Sequence, residues 1–181
     1  MTEHAYVFAY GSLVDSRRDE EAAIVLGGYV RAWNVAMDNS QTIPGYKYFL
    51  EPDGTRPRIF VAFLNLVVER SGAVNGVAFP IDTGALAGLD ERERNYRRVD
   101  VAGSVEPRLD APVWTYVGLD EARGRFDRGR RERRCAISRA YHDRVHEGFR
   151  ARGMADEFSR TTRPPQCPLR DLELVTVPSS R

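Results

Sequence analysis

The chain has 181 residues, 42% of them apolar and 10% aromatic, which suits one domain spanning residues 1–181 with a real core and excludes a disordered chain. No apolar stretch approaches a membrane span, and the opening MTEHAYVFAYGSL is acidic before it is apolar, so it does not read as a signal peptide. The formal net charge of +1 offers no global argument for nucleic acid, and Lys47 is the single lysine among 27 basic residues, a bias that a GC-rich bacterial genome also produces.

Ala5 to Ala9 is rich in Tyr, Val and Phe and predicts a first, mostly buried strand. In VDSRRDEEAAIVLGG, Asp15 or Ser16 can cap a helix, acidic residues occupy its early turns and Gly27-Gly28 stops it. Tyr29 to Ala36 predicts a strand. Residues 38–58 then form a long polar stretch with Pro-Gly and Asp-Gly turn signals, read as a functional or mobile loop. RIFVAFLNLVVE (58–69) predicts a strong strand, SGAVN (71–75) a turn, and Gly76 to Ile81 the second arm of a hairpin. Asp82 or Thr83 caps a helix reading GALAGLDERERN. Tyr96 to Glu106 and Val113 to Val117 predict strands. The basic segment 123–134 leads into a helix from about Cys135 to Arg152, closed by Gly153, and LELVTV forms a short final strand. Without a regular βαβ alternation, the fold class is α+β, with a mixed, barrel-like sheet and several packed helices. Cys135 and Cys167 lack metal-type spacing and, with no export signal, read as free thiols in a reducing cytosol.

Two stretches carry candidate chemistry. In the helix before Asn95, Leu86, Leu89 and Glu93 are spaced i, i+3, i+7, so Glu93 shares the leucine face. Asp90 flanks that face, while Glu91, Arg92 and Arg94 fall on solvent-facing sides. A carboxylate on an apolar face is costly unless it is paired, protonated or used, and burial raises its pKa toward the range where it can take and return protons near neutrality. On periodicity alone, a helix ending before Glu93, or a pairing of Glu93 with Arg97, accounts for the pattern equally simply. The second stretch is FAYGSL (8–13). Gly11 lets the backbone approach a ligand closely, and successive amides after a strand can cradle an anion or oxyanion. By itself, a tight turn with Ser12 helping to cap the next element explains it as well.

Taken together, FAYGSL (8–13), LDERE (89–93) and ISRAYHDRVHEGF (137–149) resemble the γ-glutamylcyclotransferase-like family, with MDNSQ (37–41) and NGVAFPID (75–82) sitting where that family has a loop and the strand before its glutamate helix. The resemblance runs from about residue 6 to 150. It implies that Glu93 is the general acid/base, that Tyr10, Gly11, Ser12 and Leu13 hold the glutamyl head group and the carbonyl oxygen, and that Tyr141 lines the pocket. Two departures, Arg94 where many members have Gly and Leu13 where some have Asn, bear on the substrate more than on the chemistry.

The implied reaction closes a γ-glutamyl amine, amide or peptide into 5-oxoproline and releases the amine. The substrate's own α-amine attacks its own γ-carbonyl, so orientation supplies much of the rate. What remains is one proton carrier and donors for the developing oxyanion, with no cofactor and no metal. Hydrolysis or acyl transfer of the same amide, or binding without turnover, are the alternatives. The partners implied are a small γ-glutamyl molecule, no membrane, and a monomer or homodimer in the cytoplasm. Two other features read as structural. His142 and His146, at i and i+4, sit beside the line Ile137, Tyr141, Val145, Phe149, so they read as surface or boundary residues rather than metal ligands. The same line makes Tyr141 as much a core tyrosine as a pocket one. RGRFDRGRRERR (123–134) holds a single aromatic, Phe126, and reads as a solvated loop rather than a nucleic-acid patch.

Overall fold

The computed structural model describes residues 4–15 and 20–179. Its strands, in chain order, are β1 (His4–Ala9), β2 (Ala22–Asp38), β3 (Lys47–Leu50), β4 (Phe60–Asp82), β5 (Tyr96–Asp100), β6 (Val105–Glu106), β7 (Val113–Gly118), β8 (Cys135–Ser138), β9 (Leu169–Arg170) and β10 (Glu173–Thr176). The helices are α1 (Leu86–Arg92), α2 (Asp120–Arg131), α3 (Arg139–Arg150) and α4 (Ala155–Arg160). The main sheet runs β5-β7-β1-β4-β2-β6, with β8 joining the start of β4 and β9 joining β8; β3 and β10 form a separate antiparallel pair.

The sheet curls for a reason visible in its order. Its two edge strands, β5 and β6, are separated only by residues 101–104. Five steps of chain from Asp100 to Val105 reach roughly 17 Å. Five interstrand spacings laid flat would need roughly 24 Å. The edges are therefore drawn round toward each other, and the result is a curled half-barrel with helices packed on it, a mixed α+β fold.

The two longest strands bend at one corner. β2 and β4 pair antiparallel along most of their length, with the register broken between Gly27 and Tyr29. Gly28 takes a positive φ of 83° there, which glycine adopts without strain. Opposite it, a Cβ on Gly72 would lie 2.5 Å from the Tyr29 carbonyl oxygen. Only glycine lets the two backbones come this close. This corner corrects two expectations. Gly27-Gly28 does not stop a helix: residues 22–28 are strand, with Ile24 and Leu26 buried and Val25 exposed on alternate faces. SGAVN does not turn a hairpin either, because both halves of β4 pair with β2 and the segment is the bulged side of the corner. The predicted cap Ser16 lies outside the described residues; Ser12–Asp15 is a single 3₁₀ turn.

Other expectations are revised by long-range pairing. Tyr96 to Glu106 is two strands on opposite edges of the sheet rather than one. The loop 38–58 contains β3, which pairs with the predicted final strand β10. The helix expected from Cys135 starts at Arg139, because Cys135 and Ala136 pair in parallel with β4; Ser138 caps it by accepting from the Tyr141 amide. The basic segment is helix α2, not a solvated loop. Ala122, Phe126 and Gly129 form its buried face, with Gly129 against Phe60. Three of its arginines have polar partners within the chain: Arg123 pairs with Asp120, Arg128 with Glu132, and Arg125 donates to the Ala36 carbonyl and to Asn95.

Cys135 and Cys167 form a disulfide, with Cα atoms 5.6 Å apart, where free thiols were expected. The bridge closes a loop with a sequence separation of 32 that contains α3 and α4. Closing a loop of this size restricts the unfolded chain, so Cys135→Ser with Cys167→Ser is expected to lower stability by about 2–4 kcal/mol. Urea unfolding checks this, as a lower midpoint with a somewhat steeper slope, because the released chain exposes more surface when unfolded.

Candidate functional site

The site is assembled at the end of β1. The strand is buried between β4 and β7, and it delivers Tyr10 and Gly11 at the sheet end before the chain tightens into the 3₁₀ turn, where the Val14 amide donates to the Gly11 carbonyl at 3.0 Å. Tyr10 is buried, and its hydroxyl donates to the Tyr116 carbonyl at 2.7 Å. From the other side, the Nε of Arg31 donates to the Tyr10 carbonyl at 3.0 Å. The loop is thus fixed at its first residue from both ends. Among the described residues the Gly11 and Ser12 amides have no hydrogen-bond acceptor, and both residues line a pocket.

Helix α1 supplies the carboxylate. Asp82 caps the preceding 3₁₀ turn by accepting from the Gly84 amide. The helix buries Leu86 and Leu89 and ends at Arg92, with Glu93 as its C-cap, its amide still donating to the Leu89 carbonyl at 3.0 Å. The leucines anchor one face, and Glu93 at i+4 from Leu89 follows them inward. Asp90 is differently engaged: it accepts from the Tyr116 hydroxyl at 2.7 Å and lies 3.4 Å from Arg98. Arg97 is exposed. Among the described residues the Glu93 carboxylate makes no ion pair and no hydrogen bond. Burial raises its pKa above the ordinary carboxylate value, against the opposing pull of Lys47 and Arg92.

Glu93 lines the same pocket as residues 10–13, and Tyr96, Tyr116, Tyr141 and Leu64 complete most of its wall. The cavity volume is about 40 Å³. The Tyr141 hydroxyl accepts from the Leu64 amide at 3.4 Å and has the Ser12 hydroxyl beside it as a partner. Its ring meets Phe63 edge-on with centroids 5.0 Å apart. Tyr96 donates to the Leu64 carbonyl at 2.7 Å. Burial drives the pKa of Tyr10, Tyr96 and Tyr141 upward, with Glu93 adding to the rise in each case. These hydroxyls stay protonated around the carboxylate, and Tyr10 and Tyr96 give their protons to backbone carbonyls, so the wall is polar without being charged.

A larger outer pocket of about 380 Å³ adjoins the first and shares Ser12, Leu13 and Glu93 with it. Lys47, Arg92 and Arg144 stand on its wall, with Leu174 and Thr176 of β10. Lys47 is held there by the pairing of β3 with β10, where it lies opposite Thr176. Next to it, Tyr46 accepts from Asn95, which in turn accepts from Arg125 of α2. Burial pushes the Tyr46 hydroxyl up to about 12.

Every residue singled out in the sequence, Tyr10, Gly11, Ser12, Leu13, Glu93 and Tyr141, therefore lines one pocket. Tyr96, Tyr116, Lys47 and Arg144 were missed. Of these only Lys47 carried a signal, as the single lysine in an arginine-rich chain. His142 stacks on Trp33 with centroids 5.3 Å apart and His146 packs edge-on against Phe158. Among the described residues no group of His, Cys, Asp and Glu is placed to hold a metal, and no helix is long and apolar enough to cross a membrane.

Solved structures share this architecture. YkqA from Bacillus subtilis superposes with a TM-score of 0.54 at 19% identity, over 87% of this chain and 53% of that one, so the chain spans about half of YkqA. A gamma-glutamyl cyclotransferase gives 0.54 at 14% identity, over 87% and 85%. The uncharacterized protein loc79017 from Homo sapiens gives 0.54 at 14%, over 91% and 90%. At these identities the likeness carries the fold alone. No curated protein matches the sequence. The family model "Gamma-glutamyl cyclotransferase, AIG2-like" matches residues 7–134, which include the end of β1 with its loop and helix α1 with Glu93, and the chain belongs to that family.

Proposed function

We propose that the chain is a γ-glutamylcyclotransferase-like enzyme that converts a γ-glutamyl amine, amide or peptide into 5-oxoproline and the free amine. The family and the fold support the reaction class. The observation that carries the residue roles is the Glu93 carboxylate, raised in pKa by burial, sharing a pocket with the loop 10–13.

In this reading the glutamyl carbonyl oxygen rests on the amides of residues 11 to 13, and the tyrosines exclude water and help hold the head group. The neutral α-amine of the substrate attacks the γ-carbonyl carbon, forming a carbon–nitrogen bond, and the oxyanion that develops is met by the loop donors. Glu93 takes the proton released by the attacking nitrogen and delivers it to the leaving nitrogen as the original amide bond breaks. Because nucleophile and electrophile belong to one molecule, positioning replaces a covalent intermediate. Nothing is oxidised or reduced, and the proton count is unchanged.

The test is a product assay over a panel of γ-glutamyl amines, amides and peptides, glutathione included. The expected result is 5-oxoproline in equal amount with the released amine for at least one of them. Release of glutamate instead would assign the pocket to hydrolysis, and binding without release would assign it to recognition alone.

A further inference from the structure

The tyrosines that line the inner pocket differ in what their hydroxyls have left to offer. Tyr10 gives its proton to the Tyr116 carbonyl, and its oxygen receives the Leu66 amide. Tyr141 receives the Leu64 amide and has the Ser12 hydroxyl beside it. Tyr96 gives its proton to the Leu64 carbonyl. Tyr116, in contrast, gives its proton to a carboxylate, Asp90 Oδ1, at 2.7 Å. Asp90 stands on α1 just ahead of Glu93, and Arg98 supplies its counter-charge 3.4 Å from Oδ2. Among the described residues no donor reaches the Tyr116 hydroxyl oxygen in return.

This arrangement fixes the role of the hydroxyl. With its one proton held by a carboxylate, a phenol has only lone pairs left for another partner. The bond to a charged acceptor also polarises the O–H, so the oxygen accepts more strongly than that of a tyrosine bonded to a neutral carbonyl. Burial and Asp90 hold the Tyr116 pKa well above the ordinary phenol value, so no tyrosinate forms to compete with Glu93 as a base. In the proposed substrate, the group that calls for such an acceptor is the α-amine. It arrives largely as an ammonium and gives one proton to Glu93. Its remaining N–H groups must then be held while its lone pair faces the γ-carbonyl carbon.

We infer that the Tyr116 hydroxyl oxygen receives an N–H of the substrate's α-amine, and that Asp90 is a positioning residue that acts through Tyr116 by holding its proton away from that amine. This rests on the cyclotransferase reading and adds to it the group that aims the nucleophile. Tyr116 is also where the two halves of the site are joined. Its carbonyl holds Tyr10 at the head of the loop, and its hydroxyl holds α1 at Asp90. Arg98 lies opposite it in the pairing of β5 with β7. The seat for the amine and the loop that meets the oxyanion are therefore referred to one residue of the sheet.

The probes are γ-glutamyl-ethylamide and the monoethylamide of glutaric acid, which differ only by the α-amine. Both are titrated calorimetrically into Glu93→Gln, where the proton carrier is already absent and no change in it can be mistaken for loss of the seat. The amine-bearing probe is expected to bind about 10–100-fold tighter, the usual worth of a hydrogen bond to a charged group. Adding Tyr116→Phe should bring that ratio toward 1 and leave binding of the glutaric probe within about threefold. Adding Asp90→Ala should lower the ratio as well, and Asp90→Asn, which still offers an oxygen to the hydroxyl, should restore part of it. A merely structural loss weakens both probes together; that result in Tyr116→Phe overturns the proposal, as does a starting ratio near 1 or a ratio that falls in Tyr96→Phe instead. A ratio that survives Asp90→Ala removes the role of Asp90. The product assay is a separate readout: if no γ-glutamyl compound yields 5-oxoproline and the ratio still falls with Tyr116→Phe, the ring closure fails and the amine seat stands.

Discussion

Glu93→Gln is expected to lower 5-oxoproline formation by about 10²–10⁴-fold, the range lost when a positioned general acid/base is removed, with substrate binding changed little. Glutamine keeps the shape and can still hydrogen-bond, but it cannot carry a proton. In the parent, burial raises the Glu93 pKa, so the acid limb of kcat/KM against pH should lie above the ordinary carboxylate range and vanish in the variant. The same substitution should have the opposite effect on stability. A carboxyl group whose folded pKa is raised contributes stability that is present below its unfolded pKa and lost as pH rises through the folded value. Glutamine stays neutral throughout. Thermal unfolding should therefore show Glu93→Gln gaining on the parent as pH rises from the ordinary carboxylate range toward the raised Glu93 pKa. A variant that is less active and relatively more stable at neutral pH identifies a residue kept for chemistry. Unchanged turnover in Glu93→Gln would remove the proton carrier from the mechanism.

The site was legible in the sequence because its parts are local. Glu93 could be placed by counting from Leu86 and Leu89 along one short helix, and the loop at Gly11-Ser12 follows directly from a buried strand. Their meeting could not be counted: it depends on β7 lying beside β1 and on α1 closing against β5. Lys47 illustrates the limit. It reaches the site because a strand 126 positions later, from Glu173 to Thr176, pairs with its own strand, with Leu50 opposite Glu173 and Lys47 opposite Thr176. No local pattern records that pairing.

The errors in the fold have a common physical origin. Gly27-Gly28 and Ser71-Gly72 were correctly seen as places where regular structure is disturbed, and were read as ends because turns are the usual cause. Here they face one another across β2 and β4 and bend two strands that continue. The alternate burial of Ile24 and Leu26 was a strand signal, but the acidic residues before Ala22 suggested a helix start and outweighed it. Cys135 and Cys167 looked unrelated because a sequence separation of 32 says nothing about a parallel pairing of β8 with β9, which brings the two together. In the arginine-rich segment the charge count hid a helical face, Ala122, Phe126 and Gly129, whose spacing was present in the sequence.

Replacing Arg31 should produce the largest loss among residues that do not line the pocket. Its side chain is fully buried at 0% exposure, and among the described residues it has no carboxylate within ion-pair reach. Its charge is held by neutral groups instead. Nε donates to the Tyr10 carbonyl, Nη1 to Thr161 Oγ1 at 2.8 Å, and Nη2 to the Asn75 carbonyl and to Asn75 Oδ1. The guanidinium carbon lies 4.8 Å from the ring centres of both Phe149 and Phe158. Burial pulls its pKa down to about 9, so the charge is carried at a cost. Arg31→Met removes that cost, several kcal/mol in favour of the variant. Against it stand three buried acceptors losing their donors at about 1–3 kcal/mol each and two cation–π contacts of about 1–2 kcal/mol each. The losses prevail, and a net destabilisation of about 3 kcal/mol is expected in urea unfolding. Arg31→Lys should do little better, since a single ammonium cannot span Tyr10, Asn75 and Thr161 together. The consequence for function is separate from stability. Arg31 fixes the carbonyl of the residue that opens the loop, so its loss frees the amides of Gly11 and Ser12 to drift. A displacement of about 1 Å can cost up to 10²-fold. Measured well below the unfolding temperature, kcat per folded molecule in Arg31→Met should fall by about 10–100-fold. A fall in stability with kcat intact would mean that Arg31 supports the core alone and that the loop is positioned by Tyr10 and Tyr116 without it.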